Sequence, residues 1–382
     1  MKIGEVFEAE VIDLTSAGQG VVKHPLGATV FASGVWLGER ALFELHSIKG
    51  RVGFASLKEL LVEADVRRQP PCKYQGHQDG QCGACPWMIV DYKAQLLAKQ
   101  QRVLTNIHRI DTKAEVHTIW PCGSEFAWRN RVQFKSDGKK LGFVSQGSNT
   151  LVDVESCMVL SEDNLSAMQT LRTQLPNSQW QAPSKKQPWS TLDVDENSGA
   201  EGVSVNKRLA FQQANTQQNT AMRAWLHNKI KAMGQVETAL ELFCGSGNFT
   251  EAIAAAGVKN IHAVEGSREA IEALACKNIP GVYAEIANLF DETIFESLIT
   301  EHKNTDVLVL DPPRDGLKQK KLLFPKKPRF KSVFYISCDL ATFCRDARAF
   351  IDGGYKLIEV QPLDQFPQTP HVEILAYFKS KK

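Results

Sequence analysis

Three residues able to do chemistry stand where apolar segments end or begin. Cys338 lies in YISCDLATFCRD, just after the apolar run 333–336 and Ser337; Asp311 follows the apolar run that begins VLVLDPPRDGL; Glu373 lies among the apolar residues of PHVEILAYF. A thiol that can add to an electron-poor carbon, with carboxylates at neighbouring strand ends, is the equipment of covalent catalysis. The spacing predicts these groups on three successive strands of an α/β sheet. Cys338 precedes a helix predicted from about Leu340, and a helix N-terminus favours a thiolate.

A second constellation lies upstream. ELFCGSGNFTEA places Gly245 and Gly247 directly after one predicted strand and before a helix, where glycine permits a tight turn and close backbone approach to a ligand. The next strand ends in Val264-Glu265, and a carboxylate there can bind both hydroxyls of a ribose. The spacing departs from G-x-G-x-x-G, because Asn248-Phe249-Thr250 follows the second glycine. That favours S-adenosylmethionine over a dinucleotide. The stiff Asp311-Pro312-Pro313-Arg314 loop is suited to holding a planar base beside a methyl donor.

A third cluster is thiol-rich. Cys72-x9-Cys82-x2-Cys85, with Cys157 downstream, supplies four ligands for which tetrahedral zinc and [4Fe–4S] are both acceptable, and Cys122 competes for the fourth place. A C-x3-C-x2-C radical motif is absent, so the centre is expected to hold structure or position a substrate rather than generate radicals. Nine cysteines, in one tight cluster plus scattered singles, fit a reducing, cytoplasmic setting.

The elements that must position these groups divide the chain in three. Residues 1–62 read as short glycine-punctuated strands of a small oligonucleotide-binding-type β-barrel. Residues 63–210 read as a central α+β domain with the cysteine cluster, a helix from about 91 to 109, and strands such as WRNRVQFK. From 211 to 382, strands alternate with helices, which predicts a mostly parallel, doubly wound sheet with its ligands outside the strand carboxyl ends.

The 382 residues carry 43% hydrophobic and 23% charged residues and a net charge of +2. Attraction to nucleic acid must therefore come from local patches rather than from overall charge. Two such patches are Trp128-Arg129-Asn130-Arg131 and the acid-free run 317–331, with Lys318, Lys320, Lys321, Lys326, Lys327, Arg329 and Lys331. No stretch is apolar and long enough for a membrane span, and MKIGEVFEAEV does not read as a signal peptide.

Taken together, the barrel, the cysteines, FQQAN (211–215), LELFCGSGNFT, VEG (264–266), DPPR, SCDLATFCRD and HVE resemble the RNA uracil-5-methyltransferase family that carries a TRAM domain and an iron–sulfur cluster. The likeness covers about residues 5–378. It implies a class I methyltransferase sheet at the C-terminus and a TRAM barrel at the N-terminus. It also implies a [4Fe–4S] cluster on Cys72, Cys82, Cys85 and Cys157. Cys338 is the implied nucleophile and Glu373 the implied base. S-adenosylmethionine contacts fall on Gln213, Phe243, Asn248, Glu265, Asn288 and Asp311. The expected enzyme is a cytoplasmic monomer that methylates C5 of a uridine in RNA, in 23S ribosomal RNA first and transfer RNA second. Two departures stand out. Asp339-Leu340 replaces the family's Asn-Pro after the nucleophile, and the region between Cys157 and Phe211 is short. A binding protein without catalysis, or an enzyme acting on an exocyclic amine, are the competing readings; the second has no need of Cys338 or Glu373.

Overall fold

Strand alternation in the first sixty residues puts every second side chain inward, and the computed structural model closes them into a barrel. It describes residues 1–184, 186–209, 211–323 and 329–381. The strands are β1 (Val6–Leu14), β2 (Gly20–Lys23), β3 (Thr29–Ser33), β4 (Arg40–Lys49) and β5 (Val52–Val62), in closed order β1-β2-β3-β5-β4. Phe7, Val11, Val22, Val30, Ala32, Phe43 and Leu45 fill its core.

Helix α1 (Tyr92–His108) and the two-residue strand β6 (Glu115–Val116) come next. Then follow β7 (Arg131–Ser136), β8 (Leu141–Val144), β9 (Leu151–Asp153), α2 (Glu162–Thr173), β10 (Ser190–Asp195) and β11 (Ser204–Val205). These five strands form an antiparallel sheet in order β11-β10-β7-β8-β9. Met168 and Leu171 of α2 and Trp180 pack against it.

The C-terminal part contains α3 (Thr216–Ala232), β12 (Thr238–Leu242), α4 (Asn248–Ala255), β13 (Asn260–Glu265), α5 (Arg268–Cys276) and β14 (Val282–Ile286). It continues with α6 (Glu292–Glu301), β15 (Val307–Leu310), β16 (Ser332–Ser337), α7 (Leu340–Asp352), β17 (Tyr355–Leu363) and β18 (Glu373–Ser380). The sheet order is β14-β13-β12-β15-β16-β18-β17-β6. Strands β14 to β16 are mutually parallel, whereas β18 runs antiparallel between β16 and β17. β15 and β16 are buried along their whole length, as strands covered on both faces must be.

By internal packing the chain forms two units rather than three consecutive segments. One comprises 1–98, 124–209 and 366–371; the other comprises 99–123, 210–365 and 372–382. The segment 99–123, expected in the central domain, goes with the C-terminal sheet because β6 adds a parallel edge to β17. Lys99 also meets Asp364 there at 2.5 Å, both side chains fully buried. No helix among the described residues is long and apolar enough to cross a membrane.

Candidate active site

The carboxyl edge of the second sheet is set by register. Leu242 of β12 is level with Val264 of β13 and Leu310 of β15, so Phe243 and Asp311 lie one residue beyond the paired edge and Glu265, the last residue of β13, lies level with them. Tyr335 of β16 is level with Leu310, which brings Cys338 to the same rim. Glu373 reaches it from the opposite direction. Because β18 is antiparallel, its first residue lies where its neighbours end, and the last pair, Ser337 with Ile374, leaves Cys338 across from Glu373. In the chain β17 intervenes between the second and third of these strands. In the sheet β15, β16 and β18 are successive, as the sequence suggested.

Electrostatics joins these groups. Burial pushes the Cys338 thiol up to about 12, and Glu373 and Asp311 push the same way against Arg314. Glu373, 3% exposed, is raised well above the usual carboxylate range by burial and then by Asp311. Asp311 is raised to about 7 by burial, with Glu265 adding to it. Desolvation, with Glu373 and Asp311 adding to it, thus opposes the thiolate that the helix N-terminus favours. The Asp339 side chain is engaged by the helix that follows. Its carboxylate caps α7, accepting from the backbone N–H of Thr342 at 2.8 Å and from the Thr342 hydroxyl at 2.6 Å. Asparagine could fill the same cap, so the replacement leaves the turn intact without proline.

The turn after β12 is strained at its start. Phe243 has φ +64°, a region that non-glycine residues seldom adopt, and such outliers gather at functional sites. Gly247 (φ +89°) leaves no room for a side chain, since a Cβ would come within 2.4 Å of Leu274. A Cβ on Gly245 would meet nothing within 4 Å, so that side of the turn is open, as a cradle for a ligand must be. Glu265 accepts from the backbone N–H groups of Gly245 (3.2 Å), Gly266 (2.7 Å) and Ser267 (3.0 Å), which fixes its carboxylate beside the turn.

The remaining expected donor contacts are less uniform. Gln213 accepts from Gln365 at 3.1 Å. Asn248, the first residue of α4, exchanges two amide bonds with Asn219 of α3, at 2.9 and 2.8 Å, so the contacts it makes are between helices. Asn288 is exposed and its side-chain oxygen closes a turn onto the N–H of Phe290. The ring of Phe290 lies 5.9 Å from that of Phe243.

Sequence reasoning missed Asp346. Fully buried on α7, it accepts from Tyr335 O–H and from the N–H of Leu317, each at 2.8 Å, and pairs with Lys320 and Arg345. It anchors the loop after Asp311 against the helix that follows Cys338, helped by Thr342, whose hydroxyl donates to the Arg314 carbonyl. The signal was present as the final aspartate of SCDLATFCRD. It could not be interpreted without its partners. Glu241 was missed too. It is a buried carboxylate on β12, bonded by the Thr250 hydroxyl at 2.5 Å and pushed up to about 8 by burial.

Both expected RNA patches change. Trp128 and Asn130 are buried, and Arg131 is spent on Asp193 (2.6 Å) and the Leu209 carbonyl, so this segment builds core rather than a stacking surface. In the basic run Lys320 is taken by Asp346 and Lys331 by Asp306, while Lys318 lies 4.7 Å over the Phe290 ring. Lys326 and Lys327 lie outside the described residues.

Cys72, Cys82, Cys85 and Cys157 all belong to the first unit and Cys122 to the second, where Asn215 donates to its sulfur at 3.2 Å. The Cys82 thiol is pushed up to about 11 by burial, with Cys157 and Cys72 adding to it; Cys85 is raised by burial and by the same neighbours. Four soft donors thus feel one another, which fits a thiolate-held centre. Among the described residues, however, no three His, Cys, Asp or Glu side chains already stand in a ligating arrangement.

A doubly wound sheet with one antiparallel strand, a glycine turn after its first strand and an acid after its second is the plan of an S-adenosylmethionine-dependent methyltransferase. The tRNA (Uracil-5-)-methyltransferase family profile matches residues 194–291 and 292–381. An uncharacterized RNA methyltransferase of Nitrosomonas europaea is 40% identical over 379 residues, covering 97% of this chain and 96% of that protein. A 23S rRNA (uracil(1939)-C(5))-methyltransferase of Pseudomonas putida is 26% identical over 99% of this chain and 94% of its own. The crystal structure of a Pyrococcus abyssi tRNA (uracil-54, C5)-methyltransferase with S-adenosyl-L-homocysteine superposes with a TM-score of 0.71 at 21% identity. It covers 97% of this chain and 100% of that one, and shows the shared fold. The chain belongs to the RNA uracil-5-methyltransferase family and is an S-adenosylmethionine-dependent enzyme of that class.

Proposed function

We propose that the chain methylates C5 of a uridine in 23S ribosomal RNA through a covalent adduct on Cys338. The observation that carries this reading is the placement of Cys338 across from Glu373 at the sheet rim. Uracil C5 is a poor nucleophile until a thiolate adds to C6. The S–C6 bond then forms as the C5–C6 π pair moves into an enolate, and C5 takes the methyl carbon from the sulfonium, leaving a neutral thioether. Glu373 accepts the C5 proton, and the S–C6 pair returns to Cys338. Burial favours the protonated form of both groups. A cationic donor bound beside Asp311 favours the ionised forms of Cys338 and Glu373, whose two protons pass to solvent, leaving a thiolate to add to C6 and a carboxylate to take the C5 proton.

Phe243 packs on the donor, Glu265 exchanges its Gly245 bond for ribose hydroxyls, and Asp311, Gln213, Asn248 and Asn288 complete the polar contacts. The four cysteines Cys72, Cys82, Cys85 and Cys157 would hold a [4Fe–4S] cluster, which would cross-link the turns around residues 72–85 to the segment before α2. Iron and sulfide analysis of anaerobically purified protein tests that assignment against zinc.

Ribosomal RNA is favoured over transfer RNA because the relatives named for 23S rRNA match along nearly their whole length at 26–28% identity. The likeness to the transfer-RNA enzyme carries the fold alone. Incubation with 23S RNA transcripts containing 5-fluorouridine and S-adenosylmethionine tests the chemistry, since that base has no C5 proton to lose. A denaturant-stable complex with wild type and none with Cys338→Ala is expected. A complex undiminished in Cys338→Ala would refute the adduct, and methyl transfer to transfer RNA alone would refute the target.

A further inference from the structure

The turn that follows Asp311 is bound to α7 through its backbone. Thr342 Oγ1 lies 2.8 Å from the Arg314 carbonyl oxygen, Arg345 donates to the Asp315 carbonyl at 2.8 Å, and the Leu317 N–H donates to Asp346 at 2.8 Å. Positions 342, 345 and 346 are spaced i, i+3 and i+4, so one face of the helix takes three backbone groups of the turn. Gly316, at φ +67°, makes that approach possible. A Cβ there would strike the Asp346 carboxylate and come within 2.6 Å of Thr342 Cγ2.

The contact is built around Asp346. Its Oδ2 accepts from the Leu317 N–H and the Tyr335 O–H, while Oδ1 takes Arg345 Nε at 2.9 Å and Lys320 Nζ at 3.0 Å. A carboxylate can accept from all these groups, whereas an amide has one oxygen and would turn its own N–H groups on the remaining donors. Tyr335 stands on β16 just before Cys338, and α7 starts at Leu340 just after it. The turn is therefore fixed to the elements on both sides of the thiol. The side chain it carries to the rim is Arg314, which favours the ionised form of Cys338 and of Glu373. Asp311 on β15 acts the other way on both, and Glu373 on β18 does so on Cys338.

We infer that Asp346 is a positioning residue for the reaction at Cys338: it docks the 314–317 turn on α7 and so keeps Arg314 beside the thiol and Glu373. Arg314 is exposed, so its long side chain holds one place only as far as its backbone does. The direction of the effect separates this role from two others. Removing the negative charge of Asp346 would by itself favour a thiolate, and loosening the fold would expose the thiol. Both would make Cys338 more reactive, whereas losing the placement of Arg314 makes it less so. The inference rests on the reading of Cys338 as the nucleophile.

Alkylation of Cys338 by iodoacetamide is followed on the full chain by peptide mass spectrometry, without RNA or methyl donor, at about pH 9, where the thiolate is the reacting form. Asp346→Asn should slow it about threefold to tenfold, and Arg314→Gln by at least as much. The double variant should be no slower than Arg314→Gln, because both changes remove one effect. Thr342→Val, a neutral change at a half-buried residue, should slow it about twofold and serves if Asp346→Asn does not fold. Cys344, on the same helix, is the internal reference, and its rate should stay within about twofold. Faster alkylation of Cys338 in Asp346→Asn would overturn the inference. So would a full further slowing when Arg314 is already glutamine, or an equal change at Cys344, which would leave Asp346 a structural part of the helix. In methylation assays kcat should fall by a comparable factor. Slowed alkylation with unchanged kcat would count against Cys338 as nucleophile and leave the placement of Arg314 standing.

Discussion

Cys338 and Glu373 face one another one step beyond the last pair of β16 and β18, where an antiparallel strand begins beside a parallel strand that ends. The arrangement puts a thiol and a carboxylate 35 positions apart in sequence (373 − 338) on adjacent strands of one rim. Neither group has to bend out of its strand to reach it.

That relationship predicts a separation of steps. With Glu373→Gln the methylated adduct keeps its C5 proton and cannot eliminate, so ordinary uridine-containing RNA should remain attached through denaturing electrophoresis. Turnover should fall by about 10²–10⁴, the usual contribution of a general base. Turnover within tenfold of wild type with no retained complex would remove Glu373 from the role.

Asp339 should behave as a helix cap and not as a brake on the thiol. Asp339→Asn is expected to leave turnover and the unfolding midpoint nearly unchanged, whereas Asp339→Ala should cost about 1 kcal/mol of stability. Thermal unfolding of the two variants checks the difference. A large rise in turnover with asparagine would mean that the Asp339 charge does act on Cys338.

Donor affinity should depend on pH through Asp311, which is held near 7. As pH rises through that value the carboxylate ionises and attracts the sulfonium, so binding of S-adenosylmethionine should tighten from about pH 6 and level off above about 8. S-adenosylhomocysteine, without the positive sulfur, should show a shallower slope. Calorimetry on wild type and Asp311→Asn tests this, and equal slopes in the two proteins would refute it.

Glu241 predicts a pH effect on stability of definite sign. Its folded value, about 8, lies above that of an exposed glutamate, so the folded state holds the proton more tightly than the unfolded chain. Its contribution to stability is greatest below the unfolded value near 4.3 and falls as pH rises towards about 8, by a few kcal/mol in order of magnitude. Glu241→Gln keeps a partner for Thr250 and should flatten this decline. Urea midpoints between about pH 5 and 9 that fall as steeply in the variant would refute the assignment.

The strand alternation of the barrel and the change to strand–helix alternation after about residue 215 were legible because burial on one or two faces imposes those periods. So were the rim residues, since Cys338, Asp311 and Glu265 each follow an apolar strand. The antiparallel insertion of β18 was not legible: which neighbour a strand chooses depends on the whole sheet. For the same reason Trp128 and Arg131 looked like an RNA surface until Asp193, more than sixty residues away, supplied a buried partner. Asn248 kept its expected place on α4, but its amide is engaged by Asn219 on another helix, which no local pattern could announce.

The chain passes between its two units at 98/99, 123/124, 209/210, 365/366 and 371/372. Truncation at the apparent linker near 210 therefore does not yield a self-sufficient enzyme core. A fragment beginning there would lose β6, uncovering the edge of β17, and would lose Lys99, the buried partner of Asp364. Heredity of the catalytic fold is thus tied to the upstream chain: the methyl-transferring half cannot readily be shuffled onto another RNA-recognition module as an independent cassette.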